Sequence, residues 1–504
     1  MSTEVAIHRL ATGVPGLDEV LGGGLPEFSF NLIAGQPGCG KTTLAHQIMF
    51  ALASPERPAI YFTVLGEPPL KMLRYQQQFA FFDSEAVNRS VRFISLSEDA
   101  MAGDLDRALQ RIVDEVTLHS PALVFVDSFR SVVLASEGNG KPNSSLQQFV
   151  QQLGMLMTSL QATTFLIGEY FDENDANPVF TVSDGLIWLR QSVQRNSMVR
   201  KMEVLKMRGQ ASLPGLHSFR IGSQGVEVYP PASMAFHKAS SPADTGAAVP
   251  PPRLSMGVPG LDAMLGGGLP RGYSLLVAGP SGSGKSILAA AFLAEGARCG
   301  ETGVIAAFEQ DLNRSRSRIV ADLVQSGAVG LVDNRTADTS IDEVLFKLLR
   351  EIRRLGATRV VIDSLSGFEL TLAPTFREDF RESLSKLVST LASVGVTVLM
   401  TSELEDRYTD LRFSPYGTAF MTDAIIVQRY IEVESRLRRV MAVVKVRSSA
   451  HSNELREYRI GSDGIHLGPM LADQEGLLGG KPTHRSAHPA TELPAHGARE
   501  GSSP

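Results

Sequence analysis

The chain has 504 residues, 43% hydrophobic and 20% charged, the proportions of an ordinary globular protein, which exclude a collagen-like, disordered or coiled-coil chain. A net charge of −6 argues against extended sequence-independent DNA binding, and no apolar run approaches the ~20 residues of a membrane helix. Two cysteines, Cys39 and Cys299, exclude a disulfide framework and a Cys-based zinc site. With no secretory signal visible from Met1 to Leu10, a cytoplasmic location is expected.

Length alone suggests about three domains, but an internal repeat reduces them to two. Gly13-Val14-Pro15-Gly16-Leu17-Asp18 returns as Gly257-Val258-Pro259-Gly260-Leu261-Asp262, and Leu21-Gly22-Gly23-Gly24-Leu25-Pro26 as Leu265 to Pro270, both at an offset of 244. Arg220-Ile221-Gly222-Ser223 returns at 459–462, an offset of 239. A unit this long is a duplicated domain, not a solenoid repeat.

After the first glycine-rich entry, Asn31 to Ala34 reads as a buried strand leading into Gly35-Gln36-Pro37-Gly38-Cys39-Gly40-Lys41-Thr42, followed by Thr43 and a helix. The second copy repeats the arrangement with Leu275 to Ala278 and Gly279-Pro280-Ser281-Gly282-Ser283-Gly284-Lys285-Ser286. Both fit G-x-x-x-x-G-K-[ST]. Glycines turn successive backbone N–H groups towards a triphosphate, lysine neutralises its outer oxygens, and Thr42 or Ser286 ligates Mg²⁺. The candidate ATP-binding residues are Gly35, Gly38, Gly40, Lys41, Thr42 and Thr43, with Gly279, Gly282, Gly284, Lys285 and Ser286 in the second copy. Cys39 reads as a small residue required by the loop, and Cys299 as inert.

The next strand, Ile60 to Leu65, ends in Gly66-Glu67-Pro68-Pro69, and its counterpart Gly303 to Phe308 ends in Glu309. Glu67 and Glu309 are the carboxylates available to orient or deprotonate an attacking nucleophile. A helix marked by Leu105, Ala108, Leu109, Ile112, Val113 and Val116 precedes the strand Leu123 to Val126. A second, marked by Ile341, Val344, Leu345, Leu348, Leu349 and Ile352, precedes Val360 to Ile362. The acids that close these strands, Asp127 and Asp363, are expected to hold Mg²⁺ through its water shell. Strands alternating with helices give an α/β fold: two tandem P-loop domains, each a mostly parallel sheet flanked by helices. Towards the end of each copy lie Lys206 and Arg208, and Lys445 and Arg447; two apart on a strand, each pair can reach one anion.

The boundaries follow: a first domain at 1–230, a Pro- and Ser-rich linker at 231–252, a second domain at 253–471 and a disordered tail at 472–504. His484, His488 and His496 in the tail read as solvated. Arg350, Arg353 and Arg354, interleaved with Glu351, read as a solvated helix face.

Taken together, the paired glycine-rich entries, both P-loops, the Val361-Ile362-Asp363-Ser364-Leu365-Ser366 run and the late Lys-x-Arg motifs make both copies resemble the KaiC family of duplicated RecA-like ATPases, typified by the cyanobacterial clock protein. The resemblance implies hexameric double rings with ATP between subunits, the Lys-x-Arg pairs reaching the neighbour's γ-phosphate, and protein signalling partners. It also implies autokinase activity with Glu309 as base, yet the usual acceptor pair falls on Ala419 and Phe420, which cannot accept a phosphoryl group; Ser414, Tyr416, Thr418 and Thr422 are the hydroxyls nearby. Gly66 replaces the first of two acidic residues usual in the family, which weakens the expectation for hydrolysis in the first ring.

The leading expectation is thus a Mg²⁺-dependent ATPase whose nucleotide state controls assembly and partner binding. A Ser/Thr autokinase, a DNA-dependent RecA-like ATPase and a nucleotide-gated scaffold are the alternatives. The acidic balance and the lack of a basic appendage count against nucleic acid, and no membrane association is expected.

Overall fold

The computed structural model describes residues 7–64, 69–97, 105–128, 143–171, 178–194, 197–231, 251–308, 318–333, 338–373, 380–404, 421–433, 435–471, 474–475 and 483–484. By contacts the chain divides into two units: residues 1–245 with 336–350 and 370–390, and residues 246–335 with 351–369 and 391–504.

The first unit contains a nine-stranded sheet. Six of its strands are parallel, in the order Gly185–Gln194, Phe30–Gly35, Thr163–Glu169, Leu123–Asp127, Ala59–Thr63 and Val91–Ser95. Beyond Gly185–Gln194 the sheet continues antiparallel through Ser197–Met207, His217–Gly222 and Gly225–Tyr229. Strands covered on both sides should read as continuous apolar runs, and these do. Ile33, Tyr61, Phe125 and Phe165 enter one core with the helix Lys41–Leu52. Their strand neighbours Leu32, Ala34, Ile60, Phe62, Val124 and Val126 enter another with Ile112 and Val116, on the helix Leu105–His119, and Leu153.

A second nine-stranded sheet has the same order. Its parallel part runs Val329–Asp333, Gly303–Ala307, Arg359–Asp363, Thr397–Glu403, Ser274–Gly279 and Ala424–Val433, and its antiparallel part Arg436–Val446, Arg456–Gly461 and Gly464–Met470. The two units are therefore tandem RecA-like α/β domains. The helix Ile341–Leu355 buries the apolar residues read from its periodicity, while Arg354 pairs with Glu351 on an exposed face.

The repeated entry motifs have a structural explanation. Asp18 Oδ1 accepts hydrogen bonds from Thr12 N (2.9 Å) and Thr12 Oγ1 (2.7 Å), and Asp262 accepts from Met256 N (2.7 Å) and Ser255 Oγ (2.6 Å). Each aspartate pins the incoming chain to the first turn of a short helix. Gly24 and Gly268 follow with φ of 111° and 108°; a Cβ there would stand 2.5 Å from the carbonyl oxygens of Leu10 and Leu254, so only glycine lets these short strands pair.

Of the segment read as a linker, 232–250 lies outside the described residues. Within the segment read as a tail, Gln474–Glu475 pairs antiparallel with Thr483–His484, and His488 and His496 lie outside the described residues. No described helix is long and apolar enough to cross a membrane.

Candidate nucleotide site

Each P-loop joins the carboxyl end of a central strand to a long helix, Phe30–Gly35 to Lys41–Leu52 and Ser274–Gly279 to Lys285–Arg298. The helices begin at Gly40 (φ 105°) and Gly284 (φ 98°), with no side chain capping the first turn. The orphan N–H groups of that turn are therefore open to an anion, which the helix dipole favours. A Cβ on Gly40 would meet Ile221 at 2.5 Å, and one on Gly284 would meet Ile460 at 2.8 Å.

In the first unit Gly38, Gly40, Lys41, Thr42, Thr43, Asp127, Ser128 and Glu169 line a cavity of about 370 Å³, with Thr63, Met72 and Ile221 completing its wall. Gly35 sits at the strand end just before it. This volume falls within the ~300–1,000 Å³ usual for small-molecule sites. Lys41 is buried, and its Nζ donates to its own loop at Gln36 O (2.8 Å). Thr42 Oγ1 donates to Asp127 Oδ2 at 2.8 Å. Tyr61 OH donates to the same oxygen at 2.7 Å.

Burial pushes the Asp127 carboxyl up, while the Tyr61 and Thr42 hydrogen bonds and the Lys41 charge oppose it and the Glu169 charge adds to it. The phenol of Tyr61 is raised well above its usual value by burial and by Asp127, so it remains a donor. Cys39 is fully buried; desolvation raises its thiol against the pull of Lys41. That environment suits an inert packing residue.

The second unit brings together the corresponding residues with different partners. Lys285 Nζ donates to Gly279 O and Pro280 O, both at 2.8 Å. Asp363 accepts from Thr401 Oγ1 at 2.5 Å. Gly282 (φ 75°) holds the turn, and Ser286 is exposed in the first turn of its helix. Both Asp127–Ser128 and Asp363–Ser364 peptide bonds are cis.

The donor set fits MgATP in chemical type. A lysine, an uncapped helix N-terminus, a hydroxyl and one carboxylate form the arrangement Mg²⁺ accepts when phosphates and water supply its remaining ligands. No cage of three or more His, Cys, Asp or Glu occurs among the described residues. Glu67 and Glu309 lie outside them; Val64 N donates to Asp127 O (2.8 Å) and Phe308 N to Asp363 O (3.2 Å), so in sequence Glu309 directly follows its strand's matching residue, whereas Leu65 holds that place in the first copy and Glu67 comes two residues later.

The Lys-x-Arg pairs are placed elsewhere. Lys206 closes on the carbonyl of Thr181 (2.9 Å), and Arg208 Nη1 pairs with Asp184 Oδ1 (3.0 Å). Lys445 reaches Thr422 O (2.7 Å), and Arg447 pairs with Asp423 Oδ1 (3.2 Å). Lys206 and Lys445 are held below the usual lysine value, first by desolvation and then by the adjacent arginine. Both strands carry a bulge just before the lysine, opposite Leu186/Ile187 and Ile425/Ile426, and Arg208 and Arg447 stand one residue past the strand ends. Only the lysine of each pair therefore lies on the strand, yet in the first unit both members still face one acceptor, since Arg208 Nη2 also donates to Thr181 O at 3.5 Å.

Asp184 and Asp423 also accept from Phe30 N and Ser274 N, both at 3.0 Å. Each arginine is thus tied to the first residue of the strand whose last residue opens its own P-loop. Sequence reading did not single out Tyr61, Glu169, Asp184 or Thr401. A tyrosine inside a strand buried on both faces was one available signal, since its hydroxyl must find an acceptor. Of the hydroxyls near the expected acceptor pair, Thr422 is fully buried; Ser414, Tyr416 and Thr418, like Ala419 and Phe420, lie outside the described residues.

A strand, glycine turn, lysine and helix facing a strand-end aspartate, built twice on RecA-like sheets, define a duplicated P-loop ATPase. The family model for the KaiC ATPase matches residues 10–233 and 254–472, and the chain belongs to that family. Among similar curated proteins are the circadian clock oscillator protein KaiC of Picosynechococcus sp., 26% identical over 501 residues, covering 97% of this chain and 95% of the relative, and KaiC 1 of Synechocystis sp., 26% identical with 97% and 94% covered. KaiC of Thermostichus vulcanus is 26% identical over 505 residues, with the same coverage of 97% and 94%.

Proposed function

We propose that the chain binds and hydrolyses MgATP in both units, and that each site is completed by a second copy within a closed homo-oligomeric ring, a hexamer by family likeness. Lys41 and Lys285 would hold the phosphates; Thr42 with Asp127, and Ser286 with Asp363, would hold the magnesium, whose charge offsets that developing on the transferring phosphoryl group. Glu67 and Glu309 would orient the attacking water.

One observation carries the inter-subunit part. Arg208 is anchored at Phe30, and the P-loop begins at Gly35. Five steps of a parallel strand span roughly 16 Å, too far for the guanidinium to reach phosphates held by its own loop. Arg447 stands in the same relation to Gly279. An exposed arginine pointed away from its own site is suited to a neighbour's, and a head-to-tail contact of this kind must close into a ring or polymerise. Nucleotide at such an interface couples ATP state to assembly and to whatever protein reads the ring.

Support for self-phosphorylation is weaker, because Ala419 and Phe420 stand at the acceptor positions the family implies and Thr422 is buried. A DNA-stimulated reaction fits poorly with a net charge of −6.

Mixing tests the trans arrangement. With the second site silenced by Lys285→Ala, chains carrying Lys41→Ala and chains carrying Arg208→Ala should each be nearly inactive alone. Mixed and reassembled, they should regain part of the ATP turnover, since some interfaces pair an intact loop with an intact arginine. If the mixture stays as inactive as its components, the arginine does not act across an interface.

A further inference from the structure

The aspartates expected to hold magnesium are held by different side chains in the two units. Tyr61 lies in the middle of Ala59–Thr63, a strand buried at every position. Its ring is packed by His46 (4.6 Å between centroids), Phe93 (5.5 Å) and Phe125 (5.8 Å, nearly parallel). In register Thr63 lies opposite Asp127, and Tyr61, two residues earlier on the same face, reaches forward to the carboxylate. Its hydroxyl and that of Thr42 both donate to Oδ2.

Resting on the MgATP reading above, we propose that Tyr61 is a positioning residue for the magnesium of the first site. By occupying Oδ2 together with Thr42, its hydroxyl fixes the torsion of the Asp127 carboxylate and leaves Oδ1 to accept from the metal's water shell. Tyr61 touches neither metal nor nucleotide; it acts through Asp127. Hydrogen bonds behind a metal-binding carboxylate commonly set both its orientation and its affinity.

The second unit provides an internal control. At the same offset of 244, Ile305 replaces Tyr61 and Ala290 replaces His46. Neither can donate to a carboxylate. Asp363 is held instead from the strand on its other side, through Thr401, where the first unit has Ile167 opposite Asp127. The phenolic anchor therefore belongs to the first site alone.

The test uses the full chain with Lys285→Ala, so that the first site dominates the signal. Tyr61→Phe keeps the ring and its packing and deletes only the hydroxyl. Mn²⁺ is titrated into protein saturated with a non-hydrolysable ATP analogue, and bound metal is read by electron paramagnetic resonance. The midpoint should rise about tenfold in Tyr61→Phe, while analogue affinity at saturating Mn²⁺ and the melting transition of Trp188 fluorescence barely change. In the reciprocal Lys41→Ala background the same substitution should leave the midpoint where it was. An unchanged midpoint in the first background, or an equal shift in both, overturns the proposal. If the unsubstituted chain shows no metal-dependent binding of the analogue, the MgATP reading fails instead.

Discussion

The two units share a sheet order, a loop and a pair of strand-end aspartates, yet they bury different polar groups to support them. The first places His46 and Tyr61 behind its aspartate, where the second has Ala290 and Ile305. The second instead buries Arg359, paired with Glu301 Oε2 at 2.6 Å, bonded to the carbonyls of Ser255 (2.8 Å) and Phe292 (2.9 Å), and stacked over Phe292. Leu123 and Arg57 occupy those positions in the first unit. The loops differ in the same way: the buried Cys39 Sγ meets Lys41 Nζ of its own loop at 4.0 Å, whereas Ser283 donates to Gln428 at 3.0 Å and its carbonyl accepts from Tyr458. The backbone frame around each loop is thus kept between the units, while the polar support behind it differs.

Removing the P-loop lysines one at a time is the strongest way to break this comparison. Lys41→Ala or Lys285→Ala should each cost about 100-fold in affinity for ATP at its own site, read as loss of one class of site in equilibrium binding, with the other class kept. Loss of both classes from either substitution would mean that the sites are not separable.

A smaller effect should follow from Glu301→Ala, which leaves the fully buried Arg359 without its carboxylate. Breaking a buried pair this way destabilises by roughly 3 kcal/mol. Circular dichroism should register the loss. The fluorescence transition of Trp188, the single tryptophan and a residue of the first sheet, should not move.

Mild acid should act in the opposite direction, on the first unit. Burial lowers the His46 pKa to about 3, with Gln76 opposing, against 6.5 when unfolded. Between these values the unfolded chain binds the extra proton. The stabilising contribution is therefore complete above pH 6.5 and is lost progressively as pH falls towards 3, by about 2 kcal/mol at pH 5. Urea unfolding followed at Trp188 should show this loss, and His46→Phe should flatten it. An equal slope in the variant would assign the acid sensitivity to another group.

Much of this was legible locally. The P-loops could be read because strand, glycine turn, lysine and helix follow one another without a gap. Asp127 and Asp363 could be read because each ends an apolar run. The partners were not legible, because they depend on which strand lies beside which. Tyr61 and Thr401 are 66 and 38 residues from the aspartates they hold, and they approach from opposite neighbours in the sheet. Glu169 enters the first cavity from a third strand. Asp184 and Asp423 each stand one residue before a strand in their own repeat, but that they hold an arginine and the P-loop strand together follows only from the folded register.

The tie between Asp184 and Phe30 has a consequence for energetics. One strand, hydrogen-bonded along both edges to parallel neighbours, carries the phosphate loop at one end and the arginine anchor at the other. Such a strand transmits displacement along its length better than a loop would. Wherever a ligand in the cavity changes how firmly that arginine docks on another surface, docking must change the ligand's affinity by the same factor. Under the proposed inter-subunit arrangement the strand would be the mechanical form of that reciprocity, and the tie of Asp423 to Ser274–Gly279 repeats in the second unit.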